Sequence, residues 1–176
     1  MNRQWYVWCV ILALATGAVS RAESLRIVPI ARDNEVLVSF VLADAYNNDV
    51  REIIASGLRT TFTYTLELRT AVPLWVDRTI ASAVVSVTDQ FDNLTGRHSL
   101  ARRVDGRVVE EMVTEDEEVV RLWLTRWDRL ALCETSKLQP HREYYVRVSA
   151  RVRPHADSLL GWGRWTRGQA PFTFIP

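Results

Sequence analysis

Apolar and polar positions alternate with period two along most of this chain, the mark of strands half-buried in a sheet. The clearest run is TTFTYTLELRT. Phe62, Tyr64, Leu66 and Leu68 fall on one face, and Thr61, Thr63, Thr65, Glu67 and Arg69 on the other. In TIASAVVSVTDQF, Ala81, Ala83, Val85 and Val87 alternate with Ser82, Ser86, Thr88 and Gln90. EVLVSFVLAD is largely apolar on both faces and predicts a central strand. Asp105-Gly106 in RVDGRVV predicts a two-residue hairpin, because the primed turn needs positive φ. FDNLTGR predicts a second reversal, with Asn93 and Gly96 as turn formers.

Two stretches switch to helical spacing. In NNDVREIIASG, Val50, Ile53 and Ile54 form a stripe, Asn48 or Asp49 can cap, and Gly57 can end the helix in the left-handed conformation. In TEDEEVVRLWLTRWDRL, Thr114 and Glu117 have capping-box spacing. Val119, Val120, Trp123, Leu124 and Trp127 share one face, and Glu117 and Arg121 are spaced for an i,i+4 pair. The expected fold is mainly β: an antiparallel β-sandwich of about eight strands with two short helices. The alternative is α+β, one curved antiparallel sheet with both helices on one face.

Residues 1–22 fall outside this pattern. Arg3, the apolar run WYVWCVILALATGAV and the small residues of SRA have the layout of a secretory signal peptide, with cleavage expected between Ala22 and Glu23. The expectation is an exported, periplasmic protein whose residues 23–176 form one β-rich globular domain; the alternative is an uncleaved N-terminal anchor in the inner membrane. Cys9 leaves with the signal, so Cys133 stands alone and no intramolecular disulfide is expected. Its apolar context, RLALCET, suggests a small buried hydrophobe. Without Arg3 and Arg21 the balance is 20 basic to 21 acidic residues, which argues against nucleic acid as a partner. Among the basic residues Lys137 is the one lysine, a bias that reads as a high-GC bacterial genome.

Catalytic, cofactor and metal residues are not expected. His98, His141 and His155 lie far apart, and none has zinc-motif spacing with another His, Cys or carboxylate. The acidic Glu115, Asp116 and Glu117 suit the first turn of a helix, and the ordered calcium-hand loop is absent. Asp89 and Asp92 lie near a turn, as is common in hairpins.

Two surface features stand out. In YYVRVSARVRP, Arg147, Arg151 and Arg153 line one side of a strand, with Ser149 in the gap, while Val146, Val148, Ala150 and Val152 face inward. Guanidinium forks suit carboxylate and phosphate, so these arginines are candidate anion contacts. The competing reading is a solvated strand face paired with Glu67, Glu110 or Glu111 on neighbouring strands. The second feature is HADSLLGWGRWTRGQAP, with Leu159, Leu160, Trp162 and Trp165 as candidate contacts for a partner protein or a membrane surface. Its competing reading is a packed loop, with Trp75 as a possible neighbour.

The stretches VLVSFVLADAYNNDVREIIASGLRTTFTYTLELR, WVDRTIASA, FDNLTGR and LQPHREYYVRVSARVRP together resemble a bacterial family of exported proteins, domain of unknown function 4390. The resemblance covers nearly all of residues 23–176. It implies a small, exported, β-rich protein without an assigned activity, and it carries over no functional residues. The functional expectation is an exported, non-enzymatic envelope module that binds a protein or membrane surface. The alternative is a small anionic-ligand binder using the arginine-lined strand face. An envelope enzyme would need a cleft in which histidine and carboxylates converge.

Overall fold

The computed structural model describes residues 25–72, 76–154 and 164–175, with the backbone alone for 153, 154, 164 and 165. The signal-peptide expectation, Trp75 and residues 155–163 lie outside the described residues. Two helices and nine strands in two antiparallel sheets make up these parts of the chain. The sandwich expectation holds, and the single curved sheet is set aside.

The smaller sheet begins with a hairpin of β1 (Leu25–Arg32) and β2 (Glu35–Leu42). Asp33 and Asn34 both take positive φ, 52° and 63°, at the turn between them. As its two apolar faces predict, β2 is central, with β7 (Arg126–Glu134) on its other side. Helix α1 (Asn48–Ala55) then carries the chain to the larger sheet. There β3 (Thr60–Thr70), β4 (Arg78–Asp92), β5 (Arg97–Val104) and β6 (Arg107–Thr114) follow as successive antiparallel neighbours. Helix α2 (Glu117–Thr125) returns the chain to β7. Finally β8 (Glu143–Pro154) pairs with β3, and β9 (Arg164–Thr173) pairs with β8. The spatial order is 6-5-4-3-8-9.

The predicted alternation is realised. Phe62, Tyr64, Leu66 and Leu68 are buried on β3, Val85 and Val87 on β4, and Val146 and Val148 on β8. They meet Val36, Val38, Phe40 and Leu42 from β2, and Val120, Trp123 and Leu124 from α2. The rings of Phe40 and Tyr64 lie 4.7 Å apart. The Tyr64 hydroxyl donates to the Leu124 carbonyl at 2.6 Å, satisfying one of the free carbonyls at the end of α2. Asp105-Gly106 forms the predicted turn, with φ of 49° and 81°.

On one side the two sheets touch. A Cβ at Gly168 of β9 would come within 3.3 Å of Ile27 Cδ1, Leu25 Cδ2 and the Leu25 carbonyl of β1. The absent side chain is what permits this approach.

Several local details differ from the sequence expectation. Asn47, not Asn48 or Asp49, caps α1, accepting from the Val50 amide at 3.0 Å. Gly57 does close α1, at φ 79°. Asp116 caps α2, because its carboxylate reaches the Glu118 and Val119 amides; Thr114 instead accepts from the Asp116 amide. Arg121 therefore pairs with Glu118, one turn back, and Glu117 is left to pair with Arg51 across the molecule. Helix α2 stops at Thr125, so Trp127 is buried from a strand instead of a helix. At the β4–β5 reversal Gly96 takes φ 70°, but Asp92 is the organising side chain, accepting from the Leu94 amide and the Thr95 hydroxyl at 2.9 Å each. Those donors hold the Asp92 carboxyl below its ordinary range.

Candidate functional site

Antiparallel partners share a face, so the pairing of β3, β4, β5, β8 and β9 defines the side of the larger sheet opposite the core. Thr63 stands between Ser86 and Arg151, Thr65 between Val84 and Ser149, and Glu67 between Ser82 and Arg147. On β9, Arg167 faces Ser149 and Gln169 faces Arg147; on β5, Arg103 faces Ser86. Helices α1 and α2 and the smaller sheet contribute their buried residues to the core on the other side. The outer face is thus a floor of threonine and serine hydroxyls crossed and bordered by arginines.

Arg147 and Arg151 are half-buried on this face, as the alternation in YYVRVSARVRP predicts. Arg153 occupies the same phase, opposite Thr61, as a backbone position. Successive same-face positions on a strand lie about 6.5–7 Å apart. Arg147 and Arg151 are therefore separated by about two such steps, with Ser149 between them.

Among the described residues of this face, one carboxylate is shared between two arginines and hydroxyls hold two more. Glu67 lies 3.7 Å from Arg69 and 3.9 Å from Arg147, one anion for two cations. Arg103 donates to the Thr88 hydroxyl at 3.1 Å, and Arg167 to the Ser149 hydroxyl at 3.4 Å. A hydroxyl holds a guanidinium in place without cancelling its charge. Of the three acids expected to pair with the row, Glu67 does so. Glu110 instead bonds Arg102, which points to the core side of the sheet, and Glu111 stands opposite Ala101 and makes no ion pair with a described residue. At the lower end Arg147 lies over the Tyr145 ring, 5.7 Å from its centroid, and the Tyr145 hydroxyl donates to the Asp77 carboxylate. Partial burial and that carboxylate push the Tyr145 phenol above its ordinary range.

Leu159, Leu160 and Trp162 lie outside the described residues. Trp165 is described by its backbone, which pairs with Arg151. Of the proposed apolar contact, Trp165 thus adjoins the arginine row at Arg151. Over residues 20–156 the chain matches the model of a family described as Domain of unknown function (DUF4390).

The chain belongs to the DUF4390 family.

Neither the curated proteins nor the solved structures give a match. This DUF4390 chain keeps β1 to β8 inside the matched region, and β9 follows it. The matched stretch thus holds most of the arginine face.

Sequence spacing missed one constellation. His98 and Asp89, nine residues apart, are diagonal neighbours across the β4–β5 hairpin, where His98 stands opposite Phe91 and Asp89 opposite Leu100. His98 Nδ1 lies 2.9 Å from one Asp89 oxygen and 3.2 Å from the other, and the Asp89 side chain is wholly buried. Burial pushes the Asp89 carboxyl above its usual range, while the hydrogen bond and charge of His98 pull it back. The signal was the strand phase: Asp89 follows Val85 and Val87 on the apolar face. Among the described residues no group of three His, Cys, Asp or Glu side chains is placed to hold a metal ion. Cys133 is half-buried, and that burial raises its thiol pKa. No helix among the described residues is long and apolar enough to cross a membrane.

Proposed function

We propose that this DUF4390 protein is an exported, non-enzymatic module of the cell envelope that binds an anionic partner surface through the outer face of its larger sheet. The observation that carries this reading is that Arg103 and Arg167 are held by hydroxyls, while Glu67 is shared between Arg69 and Arg147. The face therefore keeps an excess of guanidinium groups, whose planar forks suit phosphate and carboxylate oxygens. The surrounding threonines and serines add neutral donors and acceptors without competing negative charge. Export rests on the apolar N-terminal run and the small residues of SRA.

The test is a melting curve with and without inorganic polyphosphate, alongside flotation with vesicles of phosphatidylglycerol in phosphatidylcholine. Polyphosphate raises the melting temperature by mass action if it binds the folded state. Arg147→Ala combined with Arg151→Ala removes that rise and leaves the unliganded melting temperature within a few degrees of the parent. Binding falls steeply with salt, because released counter-ions and screening both act on exposed charge. No thermal shift and no vesicle binding at low salt would remove this reading.

A second contact is supported by the contiguity of Trp165 with Arg151 along the hairpin. Leu159, Leu160, Trp162 and Trp165 then supply the apolar part of a protein or membrane contact beside the arginines. Trp162→Ala with Trp165→Ala leaves folding intact and weakens vesicle flotation; an unfolded variant would assign these tryptophans to packing.

A further inference from the structure

At the end of the sandwich, between α1, the β4–β5 turn and the start of α2, lies a cleft of about 470 Å³. Its size is within the range of small-ligand sites. Tyr46, Arg51, Phe91, His98, Glu115 and Glu117 line it. It is independent of the arginine face, which is on the opposite side of the larger sheet.

Two kinds of acceptor line this cleft, an imidazole nitrogen and carboxylates. Asp89, when ionised, only accepts hydrogen bonds, so it fixes the His98 proton on Nδ1. In the neutral imidazole that leaves the Nε2 lone pair as an acceptor. The His98 side chain is nine-tenths buried, and among the described residues Nε2 has no hydrogen-bond partner. Phe91 stacks on the imidazole, with centroids 4.6 Å apart, so the ring cannot swing freely away from the cleft.

The carboxylates add further acceptors. Glu115 pairs with Arg97 at 3.0 Å and Glu117 with Arg51 at 3.0 Å, but these side chains are 51–66% exposed. Exposed pairs of this kind are weak and readily exchange partners. Each carboxylate offers about four lone-pair sites, so Glu115 and Glu117 keep acceptor capacity beyond their arginine pairs. The wall already accommodates a cation: the Arg51 guanidinium lies 5.4 Å from the Tyr46 ring centroid while bonding Glu117. Tyr46 in turn reaches Glu117 at 3.4 Å, and its phenol is pushed up to about 12, by burial first and then by the Glu117 charge.

We propose that this cleft binds an alkylammonium group, whose N–H donors are taken by His98 Nε2 and by the carboxylates of Glu115 and Glu117, with Phe91 and Tyr46 flanking its methylenes. The chemistry is a compact cation with several donors on an apolar stem. A free diamine and a lysine side chain on another protein both carry it.

The experiment follows the His98 ring resonances by NMR during titration of the folded protein. The probes are 1,4-diaminobutane, a Gly-Lys-Gly peptide with blocked termini, and 1,4-butanediol as the uncharged control. The diamine or the peptide shifts the His98 signals in a saturable way, and butanediol does not. Glu115→Gln with Glu117→Gln weakens that binding at least tenfold, and His98→Asn does likewise where circular dichroism shows the fold retained. Arg147→Ala has no effect. A response to the peptide alone identifies a protein lysine as the ligand, and a response to the diamine identifies a free amine. Equal effects of diamine and butanediol, undiminished binding by the double glutamine variant, or no response to either amine overturns the proposal. Failure here leaves the polyphosphate result untouched, and the reverse also holds.

Discussion

Arg102 offers the sharpest test of how the hairpin β5–β6 is locked to α2 and β7. Its guanidinium lies 4.1 Å from the Trp123 ring centroid and 4.8 Å from that of Trp127. It donates to the carbonyls of Trp123 at 3.2 Å and Arg126 at 2.9 Å, and to Glu110 at 3.2 Å. The side chain is 17% exposed, and burial lowers its pKa from the ordinary value. Arg102→Met keeps most of the stem and removes the charge. The two aromatic contacts are worth roughly 0.5–2 kcal/mol each. Hydrogen bonds from a charged donor add about 1.5–3 kcal/mol apiece. The half-exposed pair with Glu110 adds less than about 1 kcal/mol. Against these stands the cost of desolvating a cation, several kcal/mol, which methionine avoids. The balance is a loss of about 3 kcal/mol, because methionine cannot replace the donors to two carbonyls near the end of α2. With an m-value of about 2 kcal/mol/M, the urea midpoint falls by roughly 1.5 M. Arg102→Lys keeps the charge but not the planar fork and falls by about half as much. Tryptophan fluorescence, to which Trp123 and Trp127 contribute, reads the transition. A change in Arg102→Met below about 0.5 kcal/mol would show that desolvation cancels the whole arrangement, and the locking argument would fail.

Other perturbations probe different parts of the fold. Tyr64→Phe removes the donor to the Leu124 carbonyl and costs about 1–2 kcal/mol in urea unfolding, since a buried acceptor is left bare; an unchanged midpoint would mean the carbonyl finds another donor. The Asp92 carboxyl is held below its ordinary range in the folded state, so its stabilisation is present above the unfolded-state pKa and lost as pH falls through the folded one. Asp92→Ala therefore lowers the melting temperature near pH 7 more than near pH 2, and a uniform drop at both would contradict the linkage. Burial of Cys133 raises its thiol pKa, so iodoacetamide alkylates the folded protein more slowly than the urea-unfolded chain at pH 7. Equal rates would place the thiol in water.

Much of the larger sheet was legible because β3, β4 and β8 alternate, and most of their inward positions are filled by apolar side chains. The central place of β2 was legible for a related reason: a strand apolar on both faces needs cover on both. Strands β1 and β7 were not foreseen. β1 leaves Val28 and Ile30 about half exposed, so its outward positions carry no polar signal. β7 continues directly from α2, and the helical spacing of Trp123, Leu124 and Trp127 runs across the junction without a proline or glycine to mark it. Helix caps slipped by one or two residues because this chain supplies several competent caps in a row, and tertiary contacts choose among them. Glu117 was drawn from its expected i,i+4 partner to Arg51, a residue that only the fold brings near.

The arginine row and the Asp89–His98 pair differ in what alternation can say about them. Arg147 and Arg151 sit in the polar phase of β8, where water satisfies a charge at little cost. The sequence therefore does not reveal whether a carboxylate neutralises Arg147; that required seeing Glu67 shared between it and Arg69. Asp89, His98 and Arg102 sit in the apolar phases of β4 and β5. A polar side chain placed there must have a partner within the protein, because burying it alone costs several kcal/mol. The alternation thus announces that three partners exist, although not which ones. Two of the three residues satisfy each other, and the third is taken by two tryptophan rings and two carbonyls. Among the described residues two atoms of this set are left over: Arg102 Nε, which is buried, and His98 Nε2, which belongs to a residue lining a cleft beside the carboxylates of Glu115 and Glu117. An unused polar atom in the apolar phase points to a ligand only where a ligand can reach it, and of these two it is His98 that lines a cleft, which is why the amine titration is aimed there.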